Sequence, residues 1–280
     1  MAIPQPPSQP VSHRIPPRPP MDPASGVRRI KLQPHEMRES VTATEDLFVL
    51  AHLGVPRVDP EQWSLAIDGL VDRTRAFSLA DLKARPKKIV EAVHQCCGSP
   101  LEPTVPTRRV ANVRWGGADL AALLDDIGTD SRARFLWSYG LDGGDFAGTH
   151  CNWYLKDLPL DRLKAGDVLL AYELNGAPLP AEHGFPLRLA VPGYYGTNSV
   201  KWLWRLSLAE CRAEGHFASV LYNDALDPAD VAAGLPARRP VWAIAPESVI
   251  VAPAPDSAVG LGRPAEIWGW AWSFRGIARV

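Results

Sequence analysis

The chain has 280 residues, of which 46% are hydrophobic, and its 30 basic and 31 acidic residues leave a formal net charge of -1. This balance provides no basic surface for nucleic acid or for an anionic membrane, and no stretch approaches the roughly 18 apolar residues of a membrane span. Four cysteines are too few for a disulfide scaffold, so the composition predicts a soluble protein with reduced thiols and a substantial core.

The first 37 residues are expected to form an extended and mostly disordered tail. Nine prolines fall within the first 23 residues, and proline-rich segments of this kind do not pack into a core. The tail contains neither the apolar core of a signal peptide nor a twin-arginine signal. We therefore expect a cytoplasmic protein, with the periplasm left open as the alternative.

A folded domain is expected over residues 38–238. Trp63 to Val71 alternates apolar and polar residues, which is typical of a half-buried strand. Ser78 stands at the N-cap position of a short helix with the sequence LADLKA, and Pro86 ends that helix.

The next element carries an unusual pair of thiols. Residues 87–95 predict a second strand, which delivers the adjacent Cys96 and Cys97 to a Gly-Ser-Pro turn. These thiols could be two buried small hydrophobes, or one could pair with Cys151 or Cys211. Alternatively, one of them is a nucleophile or a soft metal ligand, because the end of a strand can present a thiolate to a pocket.

The remaining elements are short. The sequence predicts a helix over 119–127 and strands over 134–139, 167–174, 187–191 and 200–208. Asn175-Gly176 is a strong signal for a two-residue hairpin turn. Strands with few helices between them indicate an α+β fold rather than alternating βαβ units.

Residues 182–201 combine cationic side chains with several glycines. His183, Arg188, Ser199 and Lys201 could together bind an anionic phosphate, since Arg and Lys supply charge and glycines let the backbone approach. The alternative is an ordinary loop with surface charges. No glycine-rich dinucleotide or P-loop motif is present, so neither of those phosphate sites is supported.

Four segments, in this order, resemble the sulfite oxidase family of molybdenum enzymes. They are HQCCGS, ANVRWGGADLAALL, the long block from LLAYELNGAPLP to SVKWLWRLSL, and IWGWAWSFRGIARV. The resemblance implies a molybdopterin-binding domain of mixed sheets and short helices over residues 38–238. It also implies that residues 239–280 begin an immunoglobulin-like β-sandwich for dimerisation, which about forty residues cannot complete.

The resemblance further implies which residues meet the molybdenum-molybdopterin cofactor. Cys96 would bind molybdenum through sulfur, and Tyr222 would act beside it in catalysis. The remaining residues expected to contact the pterin or its phosphate are Phe48, His52, Asp142, His183, Arg188, Ser199 and Lys201.

This sequence departs from the family where the substrate would bind. Leu50, Pro100 and Leu101 occupy positions near which the sulfite and nitrate enzymes carry arginines, and arginine is the side chain best suited to an oxyanion. The arginines that could compensate from another direction are Arg108, Arg109 and Arg114. Sulfite is therefore one candidate substrate, and a less charged sulfoxide is another.

The leading hypothesis is a molybdenum-cofactor oxidoreductase that performs oxygen-atom transfer. Its alternatives are a sulfoxide reductase-like molybdoenzyme and a non-catalytic cofactor-binding protein. No haem or flavin segment is visible, which predicts a separate electron acceptor or donor protein. A homodimer would require a complete C-terminal domain, so a monomer or a weak dimer is expected.

Overall fold

The computed structural model describes residues 19–22, 27–28, 32–100, 108–234 and 237–280. Most of the predicted tail, together with Leu101, lies outside the described residues. Among the described residues, no helix is long and apolar enough to cross a membrane.

Short strands dominate the described part of the chain. The described residues form three α-helices, which are α1 (Leu79–Lys83), α2 (Leu120–Ile127) and α3 (Pro228–Ala232). The strands are β1 (Met21–Asp22), β2 (Val27–Arg28), β3 (Val49–Leu50), β4 (Val55–Pro56), β5 (Leu65–Gly69), β6 (Arg75–Phe77), β7 (Lys87–Gln95), β8 (Val110–Asp119), β9 (Phe135–Gly140), β10 (Gly144–Phe146), β11 (Thr149–Cys151), β12 (Leu155–Pro159), β13 (Leu169–Leu174), β14 (Ala177–Pro178), β15 (Arg188–Ala190), β16 (Leu203–Ala209), β17 (Asn223–Ala225), β18 (Arg238–Pro240), β19 (Glu247–Ala252) and β20 (Trp268–Trp272). The predicted α+β class is confirmed.

Two larger sheets form the body of the molecule. The first has the strand order β12-β9-β16-β5-β6, in which only β16 and β5 run parallel. The second has the order β14-β13-β8-β7, and β15 also pairs with β13. Gly117 allows β8 and β13 to approach closely, because a Cβ atom there would lie 2.2 Å from the carbonyl oxygen of Leu170.

Helices α1 and α2 begin where the sequence predicts them, whereas α3 was not predicted. Ser78 caps α1 in a capping box with Asp81, and the Asp119 carboxylate accepts the backbone N–H of Ala121 at 2.9 Å to cap α2. The buried residues of α2 lie on its inward face and join the main hydrophobic core: Leu120, Leu123, Leu124 and Ile127. Gly128 ends α2 with a φ of 82°, as a C-terminal glycine does.

One predicted strand begins later than expected. The apolar pattern predicts a strand from Val200, but β16 begins at Leu203 because Trp202 adopts a left-handed φ of 48°, which a strand does not tolerate. The Trp202 side chain is fully buried, and its indole N–H donates to the carbonyl oxygen of Ala181 at 2.8 Å. The segment before β16 therefore remains a loop that is free to build a site.

The C-terminal segment packs on the second sheet. The Trp272 indole N–H donates to Gln95 Oε1 at 2.7 Å, and Trp272 shares an apolar cluster with Val110 and Val249. Strand β18 pairs with β17, so one strand pair spans residue 239, where the sequence suggests a boundary. The division into a catalytic domain and the start of an immunoglobulin-like domain stays a prediction.

Two short strands lie within the predicted tail. β1 pairs with β4, and β2 pairs with β3, both antiparallel. These parts of the tail are attached to the body of the protein by backbone hydrogen bonds, and the disorder of the tail stays a prediction.

Candidate functional site

The structure brings all nine predicted site residues to one cavity. The nine residues are Phe48, His52, Cys96, Asp142, His183, Arg188, Ser199, Lys201 and Tyr222. They come from segments that are distant in sequence, and their individual roles stay predictions.

The ends of several strands position these side chains. β3 leads into His52, β7 into Cys96 and β9 into Asp142, while β15 begins with Arg188. The loop before β16 supplies Ser199 and Lys201, because that strand does not begin until Leu203. Strand ends are a common location for functional groups, because the strand fixes the backbone and the loop exposes the side chain.

Cys96 is the thiol that faces the cavity. Its side chain lines the cavity and packs beside Phe48, whereas Cys97 is not among the lining residues. Burial raises the pKa of the Cys96 thiol, and the positive charge of Arg109 opposes that rise. Burial, followed by the neighbouring Cys96, raises the pKa of Cys97 to about 12. All four cysteines are free, so no disulfide involves these thiols.

Arg188 is a fully buried cation at another part of the cavity. Its Nη1 donates to the carbonyl oxygen of His183 and its Nη2 to that of Ser199, each at 3.0 Å, and the guanidinium lies 4.5 Å from the ring centroid of Trp115. Burial lowers the pKa of Arg188 to about 9. Its Nε atom is buried without a hydrogen-bond partner.

Lys201 is the second cation of the cavity, and the charge of Asp142 acts on it. Lys201 Nζ donates to the carbonyl oxygens of Leu50 at 3.0 Å and Glu182 at 2.9 Å. Burial, followed by the charge of Arg188, lowers the pKa of Lys201, while burial raises the pKa of Asp142. We call the region around His183, Arg188, Ser199 and Lys201 the cationic end of the cavity.

The cationic end fits an anion. Arg188 is buried and forms no ion pair with a carboxylate among the described residues, whereas Lys201 is half-buried and interacts electrostatically with Asp142 and Glu182. A buried charge without a counter-ion is unfavourable, and an anion with several acceptor oxygens would offset this cost. A phosphate group has this chemistry.

His94 lines the same cavity and was not among the predicted residues. Its imidazole stacks on Phe48 with a ring separation of 5.5 Å, and Gly196 leaves room for it, because a Cβ there would lie 2.9 Å from His94 Cε1. Burial, followed by Arg188, lowers the pKa of His94 well below its usual value, so the ring is neutral. The signal was present in the sequence: His94 precedes Cys96 by two residues, which places both on one side of the strand.

His52 and Tyr222 form a hydrogen-bonded pair near Cys96. Tyr222 Oη lies 2.6 Å from His52 Nε2. Burial, followed by Lys201 and then Arg109, lowers the pKa of His52 to about 4, and burial raises the pKa of Tyr222. Both groups are therefore neutral at pH 7. We call the region around His52, Cys96 and Tyr222 the thiol end of the cavity.

Aromatic rings surround His52, and the backbone of its partner Tyr222 adopts an uncommon conformation. The ring of His52 packs edge-on against Phe146 at 4.7 Å and near Phe217 at 5.2 Å. Tyr222 has a φ of 55°, which is rare for a residue other than glycine. Tyr154, a lining residue that the sequence did not suggest, donates from Oη to the carbonyl oxygen of Thr197 at 2.9 Å.

Comparisons with known proteins agree with this arrangement. The family model described as an oxidoreductase molybdopterin binding domain matches residues 52–217. The sulfite oxidase of Gallus gallus is 33% identical over 266 residues, which cover 86% of this chain and 55% of that protein. The mitochondrial sulfite oxidase of Homo sapiens is 31% identical over 257 residues, covering 86% and 46%.

Two further relatives widen the comparison. NADH nitrate reductase 1 of Phaseolus vulgaris is 29% identical over 228 residues, covering 75% of this chain and 25% of that protein. The crystal structure of the sulfane dehydrogenase SoxCD from Paracoccus pantotrophus superposes with a TM-score of 0.72 at 25% identity, covering 96% of this chain and 71% of that chain. The chain spans about half the length of the animal sulfite oxidases that it matches. It belongs to the sulfite oxidase family of molybdopterin-dependent oxidoreductases.

Proposed function

We propose that the protein is an enzyme that uses a molybdenum-molybdopterin cofactor to transfer an oxygen atom to or from a small sulfur compound. One observation carries the proposal. A single cavity holds a buried thiol, the buried guanidinium of Arg188 together with the amine of Lys201, and a neutral tyrosine-histidine pair. Each of these features matches a need of such an enzyme: a soft metal ligand, a phosphate site and a proton donor.

The residues present fit this cofactor. Arg188 and Lys201 would hold its terminal phosphate, and Ser199 and His183 lie beside them. Cys96 would hold the metal, since a soft thiolate suits molybdenum and the side chain lines the cavity. When bound, the cofactor supplies a metal centre that exchanges an oxygen atom and two electrons with a substrate.

His52 and Tyr222 would control the protons of the reaction. Because the pKa of Tyr222 is raised by burial and that of His52 is lowered to about 4, the phenol keeps its proton and the imidazole carries no charge. Tyr222 Oη can therefore donate a hydrogen bond to an oxygen atom at the thiol end, while His52 orients the phenol.

The proposed substrate is a small sulfur oxyanion, with sulfite as the first candidate, and a separate protein would carry the electrons. A neutral sulfoxide is the second candidate. It is favoured by the neutral side chains of Leu50 and His52, which line the cavity near Cys96. Sulfite oxidation and sulfoxide reduction, each coupled to a redox dye, distinguish the two.

The decisive experiment measures molybdenum and pterin in protein purified from a host that makes the cofactor. The wild type is compared with Cys96→Ser and with Cys211→Ser, a control in which the replaced thiol is exposed and outside the cavity. About one molybdenum per chain is expected in the wild type and in the control, because a single thiol of the cavity is the proposed ligand. Cys96→Ser should lose dye-linked activity on sulfite or sulfoxide and change the metal spectrum.

Two results would contradict the proposal. A wild type that holds neither molybdenum nor pterin would show that the family fold lacks its chemistry in this chain. A Cys96→Ser variant with unchanged spectrum and activity would show that this thiol is not the ligand.

A further inference from the structure

A buried lysine is bonded to the turn that precedes Tyr222. This turn is a single π-helical turn, His216–Val220, a form that is rare in proteins and frequent at functional sites. Nζ of Lys156 donates to the carbonyl oxygen of Phe217 in the middle of the turn, at 3.0 Å. Lys156 lies on β12 and is almost fully buried, so this bond is made inside the protein.

The next residue of β12 fastens the same turn through an arginine. Asp157 accepts two hydrogen bonds from Arg212, whose Nη2 also donates to the carbonyl oxygen of Ala218 at 2.8 Å. Asn223 Nδ2 donates to the same carbonyl oxygen at 3.1 Å. Two successive carbonyl oxygens of the turn are thus held by cations that belong to β12 or are paired with it.

The amine of Lys156 also lies against the ring of Tyr222. Nζ is 5.4 Å from the ring centroid, within the distance at which a cation is attracted to an aromatic ring. The hydroxyl of the same ring lies 2.6 Å from His52 Nε2, and the ring of Phe217 packs 5.2 Å from that of His52. One side chain therefore contacts Tyr222 directly and holds the backbone of a residue that packs against its partner.

This arrangement combines two features that lower stability. Tyr222 has a φ of 55°, and a left-handed conformation at a bulky residue persists only where the surrounding structure enforces it. A buried ammonium is also unfavourable, and burial lowers the pKa of Lys156 to about 8 although the charge of Asp157 opposes this change. Costs of this kind are typical of groups that are retained for function.

We propose that Lys156 is a positioning residue for Tyr222, and that its amine fixes the phenol at the thiol end of the cavity through the π-helical turn and through the ring. This inference rests on the proposed function, in which Tyr222 donates a hydrogen bond to an oxygen atom. Lys156 is not among the residues that line the cavity, so it acts through Tyr222 and not by contact with a substrate.

The kinetic test compares molybdenum-loaded wild type with Lys156→Met, Tyr222→Phe and the variant that carries both changes. Lys164→Met is the control, because the Lys164 side chain is 80% exposed. Molybdenum content, kcat and KM are measured for each protein with the substrate that the wild type turns over, sulfite or dimethyl sulfoxide. The four proteins form a double-mutant cycle, which separates an effect through Tyr222 from an independent one.

We expect Lys156→Met to lower kcat roughly tenfold at unchanged molybdenum content and KM, the effect of losing a hydrogen bond from a charged group. The loss should not exceed that in Tyr222→Phe, since a positioning residue contributes no more than the group that it positions. In the Tyr222→Phe background, Lys156→Met should lower kcat no further. Lys164→Met should behave as the wild type.

A second measurement reports on the ring without turnover. Fluorine NMR is recorded on purified protein in which every tyrosine is replaced by 3-fluorotyrosine, and the signal that Tyr222→Phe removes identifies this ring. Lys156→Met should shift and broaden that signal, because the ring loses a neighbouring charge and the turn loses a hydrogen bond. Lys164→Met should leave the signal unchanged.

Three outcomes would overturn the inference: an unchanged kcat in Lys156→Met, an equal loss of kcat in both backgrounds, or an unchanged fluorine signal. If Lys156→Met does not fold, Lys156→Gln takes its place, because the amide keeps an N–H donor and lacks the charge. Failure of the proposed function is recognised separately. The wild type would then lack molybdenum, while the fluorine signal would still show whether Lys156 holds Tyr222.

Discussion

Replacing Lys156 by methionine is expected to change how the stability of the protein depends on pH. Lys156 lies on β12 with only 1% of its surface exposed. Its Nζ donates to the carbonyl oxygen of Phe217 at 3.0 Å and lies 5.4 Å from the ring centroid of Tyr222. The ammonium is thus buried beneath the thiol end of the cavity with one hydrogen bond.

The magnitude follows from the pKa of this amine. Burial, opposed by the charge of Asp157, lowers the pKa of Lys156 from 10.5 to about 8. Such a change corresponds to about 3 kcal/mol against the charged form in the folded protein. Methionine removes this penalty but loses a hydrogen bond and a cation–π contact, each worth about 1 kcal/mol. At pH 7 the variant should be more stable by about 1 kcal/mol.

The sign of the pH dependence can be worked out from the two pKa values. The unfolded chain keeps the Lys156 proton up to pH 10.5, whereas the folded chain releases it near pH 8, so unfolding takes up a proton in this interval. The stability of the wild type relative to Lys156→Met therefore rises with pH, by at most about 1.4 kcal/mol per pH unit. Below pH 8 the difference is constant, because the lysine is charged in both states.

Urea denaturation, followed by tryptophan fluorescence on cofactor-free protein, measures this difference between about pH 7 and about pH 10. Lys164→Met is the matched control, because the Lys164 side chain is 80% exposed and pairs only with the equally exposed Asp161. The control should show no change across the interval. If the difference between wild type and Lys156→Met is the same at both ends of the pH range, the reasoning from burial is refuted.

Two further predictions concern the cavity. Arg188→Met should lower the molybdenum content of the purified protein roughly tenfold, since a buried phosphate would lose charged hydrogen bonds. Arg188→Lys should retain more molybdenum than Arg188→Met. A molybdenum content equal to that of the wild type in both variants would exclude Arg188 from cofactor binding. Tyr222→Phe removes the 2.6 Å bond to His52 and should lower kcat roughly 10- to 100-fold at unchanged molybdenum content. Tyr139→Phe, outside the cavity, is the control, and an unchanged kcat for Tyr222→Phe would exclude Tyr222 from the reaction.

The parts of the fold that depend on neighbouring residues were predictable from the sequence. The Asn175-Gly176 turn joins β13 and β14 as expected, and the caps of α1 and α2 lie where short-range hydrogen bonding places them. The start of β16 was not predictable in this way, because the left-handed backbone of Trp202 is stabilised by burial and by a bond to the distant Ala181. Local pattern cannot reveal a conformation that tertiary packing imposes.

The burial of the charged residue Lys156 was likewise not predictable from the local sequence. The dipeptide Lys156-Asp157 has the composition of an exposed surface, yet both residues are buried. Asp157 accepts two hydrogen bonds from Arg212, at 2.6 and 3.1 Å, and this pairing compensates its charge. The partner lies 55 residues away, so neither the spacing nor the charge pattern around Lys156 indicates burial.

The two ends of the cavity differ in how they are encoded, and this difference explains why the cofactor was easier to predict than the substrate. The cationic end comes from residues 183–201, a single stretch in which glycines, cations and a hydroxyl occur together. The thiol end is assembled from His52, Cys96 and Tyr222, which lie on three separate segments. A motif can specify the first arrangement, but only the fold specifies the second. Relatives that share the phosphate-binding stretch can therefore differ in the side chains that they present to a substrate.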